Sequence, residues 1–395
     1  MNSANKSDIG NFYEFLKAVS ERNPRELSFL NASWKDLKQW RSAAQKKVLE
    51  LLSYFPPEGP LDATTVCASE HHDYWQEEVE FNTSAFTRAR GAVLIPKKGK
   101  KPFPAVVAIH DHGGFYYYGR EKIIQADGLP KLVDEFKREC YSGNSWATDL
   151  VGRGYVVLVI DAFFFGEKRV DYDALSEAAK DMLGAPLAGL EPESDAYIHA
   201  YNEMCKQFEG LLIKHIFMAG TTWAGILSHD DRACVDYLLS RDDVDASRIG
   251  CCGLSIGGFR SALLAGTDVR VACSVVAGWM PTFHSLLHSH LRNHTYMVYI
   301  PGLSRHMDFP DLVSMAVPNS LFVQQCRQDA LYPEEGMREA GEHLKRVYEK
   351  AGAADKFKYK FYECPHQFNT EMQRDAFEWL DTHLMKSTRL FVYKY

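Results

Sequence analysis

Five apolar runs set the limits on this chain: "AVVAI" at 105–109, "YVVLVI" at 155–160, "IGCCG" at 249–253, "VACSVV" at 271–276 and "LFVQQC" at 321–326. A strand with one wet face alternates apolar and polar residues, whereas a strand that is apolar at consecutive positions is buried on both faces. Segments with helical spacing separate the later runs, near 222–240, 257–266, 333–351 and 370–385. Strands of this kind alternating with helices predict an α/β fold, a doubly wound and mostly parallel sheet covered on both sides. The expected catalytic domain spans 70–387, and it opens with two alternating segments in "YWQEEVEFNTSAFTRARGAVLIP".

Residues 1–69 read as a helical N-terminal extension. Phe12, Phe15, Leu16 and Val19, then Trp34, Leu37, Trp40, Val48, Leu51 and Leu52, recur at helical spacing until Pro56 and Pro57 stop the pattern. Its aromatics Phe12, Trp34 and Trp40 look exposed, which would suit a homo-oligomer paired through these helices. Residues 388–395 read as a C-terminal tail. The stretches 166–215 and 279–316 far exceed ordinary connections of about 2–6 residues, so they are expected to form lids or walls over a site.

A hydrophobic share of 46% is ample for a large core. Lys plus Arg number 45 against 52 for Asp plus Glu, with no basic tract, so a nucleic-acid partner is not expected. No apolar run reaches the ~18 residues of a spanning helix, and the N-terminus lacks an apolar signal core, so no membrane partner and a cytoplasmic location are expected. The nine cysteines are scattered and odd in number, as buried reduced thiols would be.

The chemistry centres on "GLSIG", Gly253 to Gly257, which fits G-x-S-x-G between an expected strand and an expected helix. A serine hydroxyl is a poor nucleophile without an imidazole base, which in turn needs a carboxylate to fix its tautomer. Both are expected after Ser255, at later strand ends. "CRQDALYP" supplies Asp329, with Glu334 and Glu335 as rivals for its role, and "CPHQF" supplies His366. The carboxyl ends of parallel strands share one edge of the sheet, so these distant residues can meet there. An oxyanion hole would take one backbone N–H from Ile256 and another from His112 or Gly113, in the loop "HDHGGFYYYGREK" after the strand that ends near His110. Phe115, Tyr116, Phe163, Phe164 and Trp279 are expected to line the pocket.

Taken together, "HDHGG", "VIDAFFFGE", "SRIGCCGLSIGG", "CRQDALYP" and "PHQF" resemble, in order, the motifs of the α/β-hydrolase superfamily, in particular its dienelactone-hydrolase and acetyl-xylan-esterase-like group. Two features depart from that group. The loop begins His110-Asp111-His112 rather than His-Gly, and the nucleophile position holds serine where dienelactone hydrolases carry cysteine. The resemblance implies a serine hydrolase acting on a small-molecule carboxylic ester through an acyl-enzyme, with no cofactor. C–C bond hydrolysis of a ring-bearing ketone, or acyl transfer, is the alternative on the same triad.

Three further clusters have plainer readings. His284, His288, His290 and His294 have i, i+4 spacings that could hold a metal, but no carboxylate interleaves and a lid wall is the expectation, so no metal is assigned. "HDD" at 229–231 is expected to cap the start of a helix. Cys251, Cys252 and Cys364 are expected to pack in the core.

Overall fold

The computed structural model describes residues 6–184 and 186–385; the tail expected at 388–395 lies outside the described residues. Nine strands form one sheet: β1 (Thr64–Glu70), β2 (Tyr74–Asn82), β3 (Arg88–Pro96), β4 (Phe103–Ile109), β5 (Val156–Ile160), β6 (Val244–Leu254), β7 (Val271–Ala277), β8 (Ser320–Cys326) and β9 (Phe357–Tyr362). Their order is β1-β2-β3-β5-β4-β6-β7-β8-β9. The first three strands and the β3–β5 pair are antiparallel, and every pairing from β5 through β4 to β9 is parallel. The continuous apolar runs have the cause inferred from sequence. In β4, Val106 and Ala108 enter one hydrophobic cluster while Ala105, Val107 and Ile109 enter the other, so the strand is buried on both faces.

Three expectations need correction. Thr64–Glu70 is not helical: it pairs with β2 as an edge strand whose residues are all exposed, and a strand wet on both faces gives no hydrophobic alternation to read. The N-terminal helices, Phe12–Glu21 and Leu37–Leu52, are not a separate appendage. Trp40, Ala44, Val48 and Leu52 of the second are buried in the main core, and the Trp40 indole donates to the Leu27 carbonyl at 2.7 Å. Trp40 and the partly buried Trp34 therefore form no exposed pairing face, whereas Phe12 is 63% exposed. Finally, the helix holding "HDD" runs Trp223–Leu239 and is capped by Thr222, whose Oγ1 accepts from the Gly225 N–H at 2.9 Å.

His229, Asp230 and Asp231 thus sit mid-helix, and two of them are buried charges with partners from elsewhere. Asp230 accepts from Lys168 at 2.6 Å, and Asp231 takes Arg260 in a two-pronged contact at 2.5 and 2.9 Å. Asp231 and Arg260 are 1% and 2% exposed. Removing one member of such a pair leaves the other charge buried and uncompensated. Asp231→Ala is therefore expected to destabilise the fold by about 3–5 kcal/mol, read as a fall in the urea midpoint at pH 7.

Candidate active site

β6 ends at Leu254, the helix Ile256–Thr267 begins at once, and Ser255 between them sits at φ +61°, ψ −120°. A non-glycine residue rarely adopts such angles, at a cost of about 1–3 kcal/mol, so the surroundings must enforce them. The enforcing contacts are backbone. A Cβ on Gly253 would lie 2.6 Å from the Gly257 backbone, and one on Gly257 would lie 2.5 Å from the Ile109 carbonyl oxygen. The Ser255 N–H is itself spent on the Ala277 carbonyl at 2.9 Å.

Asp329, just beyond β8, and His366, just beyond β9, meet as expected. His366 Nδ1 lies 2.6 Å from Asp329 Oδ2, and the aspartate side chain is fully buried. A carboxylate only accepts, so Nδ1 carries the proton and Nε2 is left with its lone pair. That Nε2 is buried and has no hydrogen-bond partner. Glu334 is committed to Arg327 and Arg338, so it does not compete for the imidazole. Ser255 and His366 line one cavity of about 230 Å³, together with His112, Gly113 and Ile256. Ser255, His366 with its orienting carboxylate, and the three residues expected to supply oxyanion donors, Ile256, His112 and Gly113, are therefore gathered at one cavity.

The aromatic residues expected at the substrate wall are elsewhere. Tyr116 stacks on Phe165, Phe164 on Phe208, and Phe163 meets Trp223 edge-on, while Phe115 packs against Phe136. Trp279 packs between Phe259 and Phe309 and borders a neighbouring apolar groove instead. These rings cement loops to the core, because aromatic side chains bury more apolar area than a loop of this length could otherwise offer. The remaining wall comes from Asn293, His294, Thr295 and Val298 of the second long stretch, and from Leu331 and Tyr332 after β8. The four histidines proposed as a wall rather than a metal set go to separate partners: His284 to Glu339, His288 to the Tyr13 ring, His290 to Ser289, and His294 to the Leu331 carbonyl.

Sequence reasoning missed the supports of the loop after β4. Lys122 is fully buried beneath it, and its ammonium donates to the carbonyls of Asp111 at 2.5 Å, His112 at 3.2 Å and Phe115 at 3.4 Å. It also lies 3.8 Å from the Asp111 carboxylate and 4.8 Å from the Phe165 ring centroid. Burial pushes the Lys122 pKa down, opposed by the Asp111 charge. From the other side, Glu209 of the helix Asp195–Met218 reaches the loop through His112 and Tyr116. A signal for it existed: Asn202 and Glu209, seven residues apart, interrupt the apolar stripe of Ile198, Tyr201, Cys205, Phe208 and Ile213. Lys122 left none, since lysine is seldom buried and nothing near it in sequence marks this one.

No family model matches the chain. It is 26% identical over 345 residues, 87% of its length and 100% of the relative's, to YtaP of Bacillus subtilis (strain 168), a protein named as a hydrolase. A solved structure from Bacteroides fragilis NCTC 9343, named as an acetyl xylan esterase, superposes with a TM-score of 0.64 at 17% identity, covering 90% of this chain and 84% of that one. A glucuronoyl esterase from Solibacter usitatus gives a TM-score of 0.58 at 11% identity, covering 91% and 97%. The shared architecture is the α/β-hydrolase fold.

Two outcomes follow from the loop's supports. Lys122→Met strips the Asp111 carboxylate of a buried counter-charge and should cost about 3–5 kcal/mol in unfolding free energy. Glu209 gives a pH dependence. Burial pushes its pKa up, but hydrogen bonds from His112, Tyr116 and Thr295 outweigh that and hold it below the ordinary 4.5. Its contribution to stability is then complete above that ordinary value and lost as the pH falls below it. Between pH 5 and pH 3 the Tm is expected to drop less steeply in Glu209→Gln than in the parent.

Proposed function

We propose that this protein is a serine hydrolase that cleaves a carboxylic ester with a short acyl group. The carrying observation is the Asp329–His366 pair, whose imidazole, with no partner on Nε2, lines the same cavity as Ser255 on its strained turn. In this reading Ser255 Oγ attacks the ester carbonyl while His366 Nε2 takes its proton, and Asp329 stabilises the imidazolium so formed. The C–O bond to the alcohol breaks, and His366 returns the proton to the departing alkoxide. Water, deprotonated by the same imidazole, then releases the acyl group and restores the serine.

Negative charge on the tetrahedral oxygen would be met by the N–H of Ile256 and by that of His112 or Gly113. Ile256 begins a helix, whose N-terminal end favours that charge further. A short acyl group is supported by the acetyl xylan esterase name of a structure that shares the fold. The esterase names of the structures that share the fold support the same class. A ring-bearing ketone would need more aromatic wall than this cavity has: none of the rings read as such from the sequence lines it, and Tyr332 is the phenol ring in its lining. Ester cleavage is therefore the reading the geometry supports best.

Ser255→Ala is expected to abolish both p-nitrophenyl acetate turnover and labelling by a fluorophosphonate. Asp329→Asn should keep the labelling site but lower kcat by a factor of about 10⁴, through the wrong imidazole tautomer. Rates would be followed by nitrophenolate release, with circular dichroism to verify folding. Labelling that persists in Ser255→Ala and maps to another serine would overturn the reading.

A further inference from the structure

Glu209 carries five hydrogen bonds on one carboxylate that is 5% exposed. Its Oε1 accepts from His112 Nε2 at 2.8 Å, from the Tyr116 hydroxyl at 2.8 Å and from Thr295 Oγ1 at 3.0 Å. Its Oε2 accepts from Thr295 Oγ1 at 2.9 Å and from the Tyr296 N–H at 3.3 Å. Three segments distant in sequence thus converge on one side chain: the loop after β4, the helix Asp195–Met218, and the second long stretch that walls the cavity. On the same helix face, Asn202 Oδ1 accepts from the backbone N–H groups of Tyr116 at 2.9 Å and Tyr117 at 3.0 Å.

The contact to His112 reaches the loop backbone. A carboxylate can only accept, so the His112 proton is on Nε2, and Nδ1 is then free to accept from the Gly114 N–H at 3.0 Å. Glu209 therefore fixes the tautomer of a ring that in turn ties down the turn at Gly113 and Gly114, both in the left-handed region at φ +53° and +68°. Gly113 has no slack: a Cβ there would lie 2.3 Å from the Phe136 ring.

We propose that Glu209 is a positioning residue for ester hydrolysis, holding the loop after β4 so that the N–H of His112 or Gly113 points at the developing oxyanion. This rests on the serine-hydrolase reading above. Glu209 does not line the cavity. A negative charge near a developing oxyanion is unfavourable by itself, so its benefit comes through geometry. Oxyanion donors act only within a narrow distance range, and displacing or losing one costs about 10²–10³ in kcat. Thr295, which lines the cavity, extends the same control to its wall, so the wall and the oxyanion donor share one anchor.

The test begins with the unaltered protein. It should be labelled at Ser255 by a fluorophosphonate and inhibited by phenylboronic acid, which forms a tetrahedral adduct on a reactive serine. Failure of both sinks the serine-hydrolase reading and leaves nothing for Glu209 to position. With both in hand, Glu209→Ala and Glu209→Gln are compared by kcat per titrated site, KM and boronic-acid Ki. Glu209→Ala is expected to lower kcat about 30- to 100-fold with KM within about threefold, and to raise the Ki by a similar factor. Glu209→Gln keeps an acceptor for His112 and Tyr116 and should stay within about fivefold of the parent. A lower Tm with kcat per site unchanged in Glu209→Ala, or a rise in KM alone, would overturn the proposal. If Glu209→Ala does not fold, Thr295→Val removes two of the five bonds. Its kcat should then fall about three- to tenfold with KM steady, and an unchanged kcat would count against the proposal.

Discussion

The close approach of the Gly257 backbone to the Ile109 and His110 carbonyls is the contact on which the rest of the site depends. A Cβ on Gly257 would stand 2.5 Å from one oxygen and 3.0 Å from the other, and one on Gly258 would stand 2.7 Å from the Ala277 carbonyl. The helix that follows β6 can therefore start here only because its second and third residues are glycines, wedged over the ends of β4 and β7. The chain must reverse from strand to helix within a single residue, and Ser255 absorbs that reversal at positive φ. The turn so formed leaves Ser255 lining the cavity. The same packing places Gly278 against His366, where a Cβ would come within 3.4 Å of the imidazole. Serine, histidine and the β4 loop are thus referenced to one set of backbone contacts at one edge of the sheet.

That edge carries an unusual amount of buried charge. Lys122 lies beneath the loop after β4 and Glu209 beside it, and each is held by several oriented partners rather than by one. His110, fully buried, adds a third tie: its Nδ1 faces the Asp111 carbonyl and its Nε2 accepts from the Ala162 N–H at 3.0 Å, joining the loops after β4 and β5. Burial pushes the His110 pKa well down, which matches a neutral ring that donates from one nitrogen and accepts at the other. Two consecutive glycines at positive φ make this loop intrinsically soft. The buried polar ties supply the rigidity that its sequence withholds, and a fully satisfied polar network is a source of such rigidity.

How much of this is legible without coordinates depends on the kind of signal. The parallel sheet was readable because double-sided burial writes continuous apolar runs; Ser255 and Asp329 were readable because each follows such a run, and His366 because it follows the last strand, whose aromatics alternate with lysines. β1 was not, since Thr64–Glu70 is exposed on both faces. Trp40 looked like a surface aromatic because spacing reveals that a helix has an apolar face but not what lies against it. The aromatic cluster after β4 and β5 was misplaced for a similar reason: proximity to a strand end puts a residue near the cavity, but only packing decides whether its ring faces the cavity or the core. Glu209 acts through partners far away in sequence and showed only as an acid interrupting an apolar stripe, whereas Lys122 folds back on carbonyls of its own loop, which no residue pattern marks.

The stretch 166–215 bears on how such a site can vary. A mobile lid over a cavity should make few buried contacts with the catalytic loops, since every such contact must break when it opens. The helix Asp195–Met218 does the reverse: it buries Ile198, Tyr201, Met204, Phe208 and Ile213, and through Asn202 and Glu209 it bonds directly to the loop after β4. It is a buttress, and its removal would release the loop along with the cover. None of its residues lines the cavity, whose wall includes Cys140, Asn293, His294, Thr295, Val298, Leu331 and Tyr332. Division of labour follows from these contacts. The first stretch holds the loop after β4, and the second walls the cavity. Side chains such as Asn293 and Val298 can therefore change the shape of the cavity, provided that Thr295 keeps its hold on Glu209.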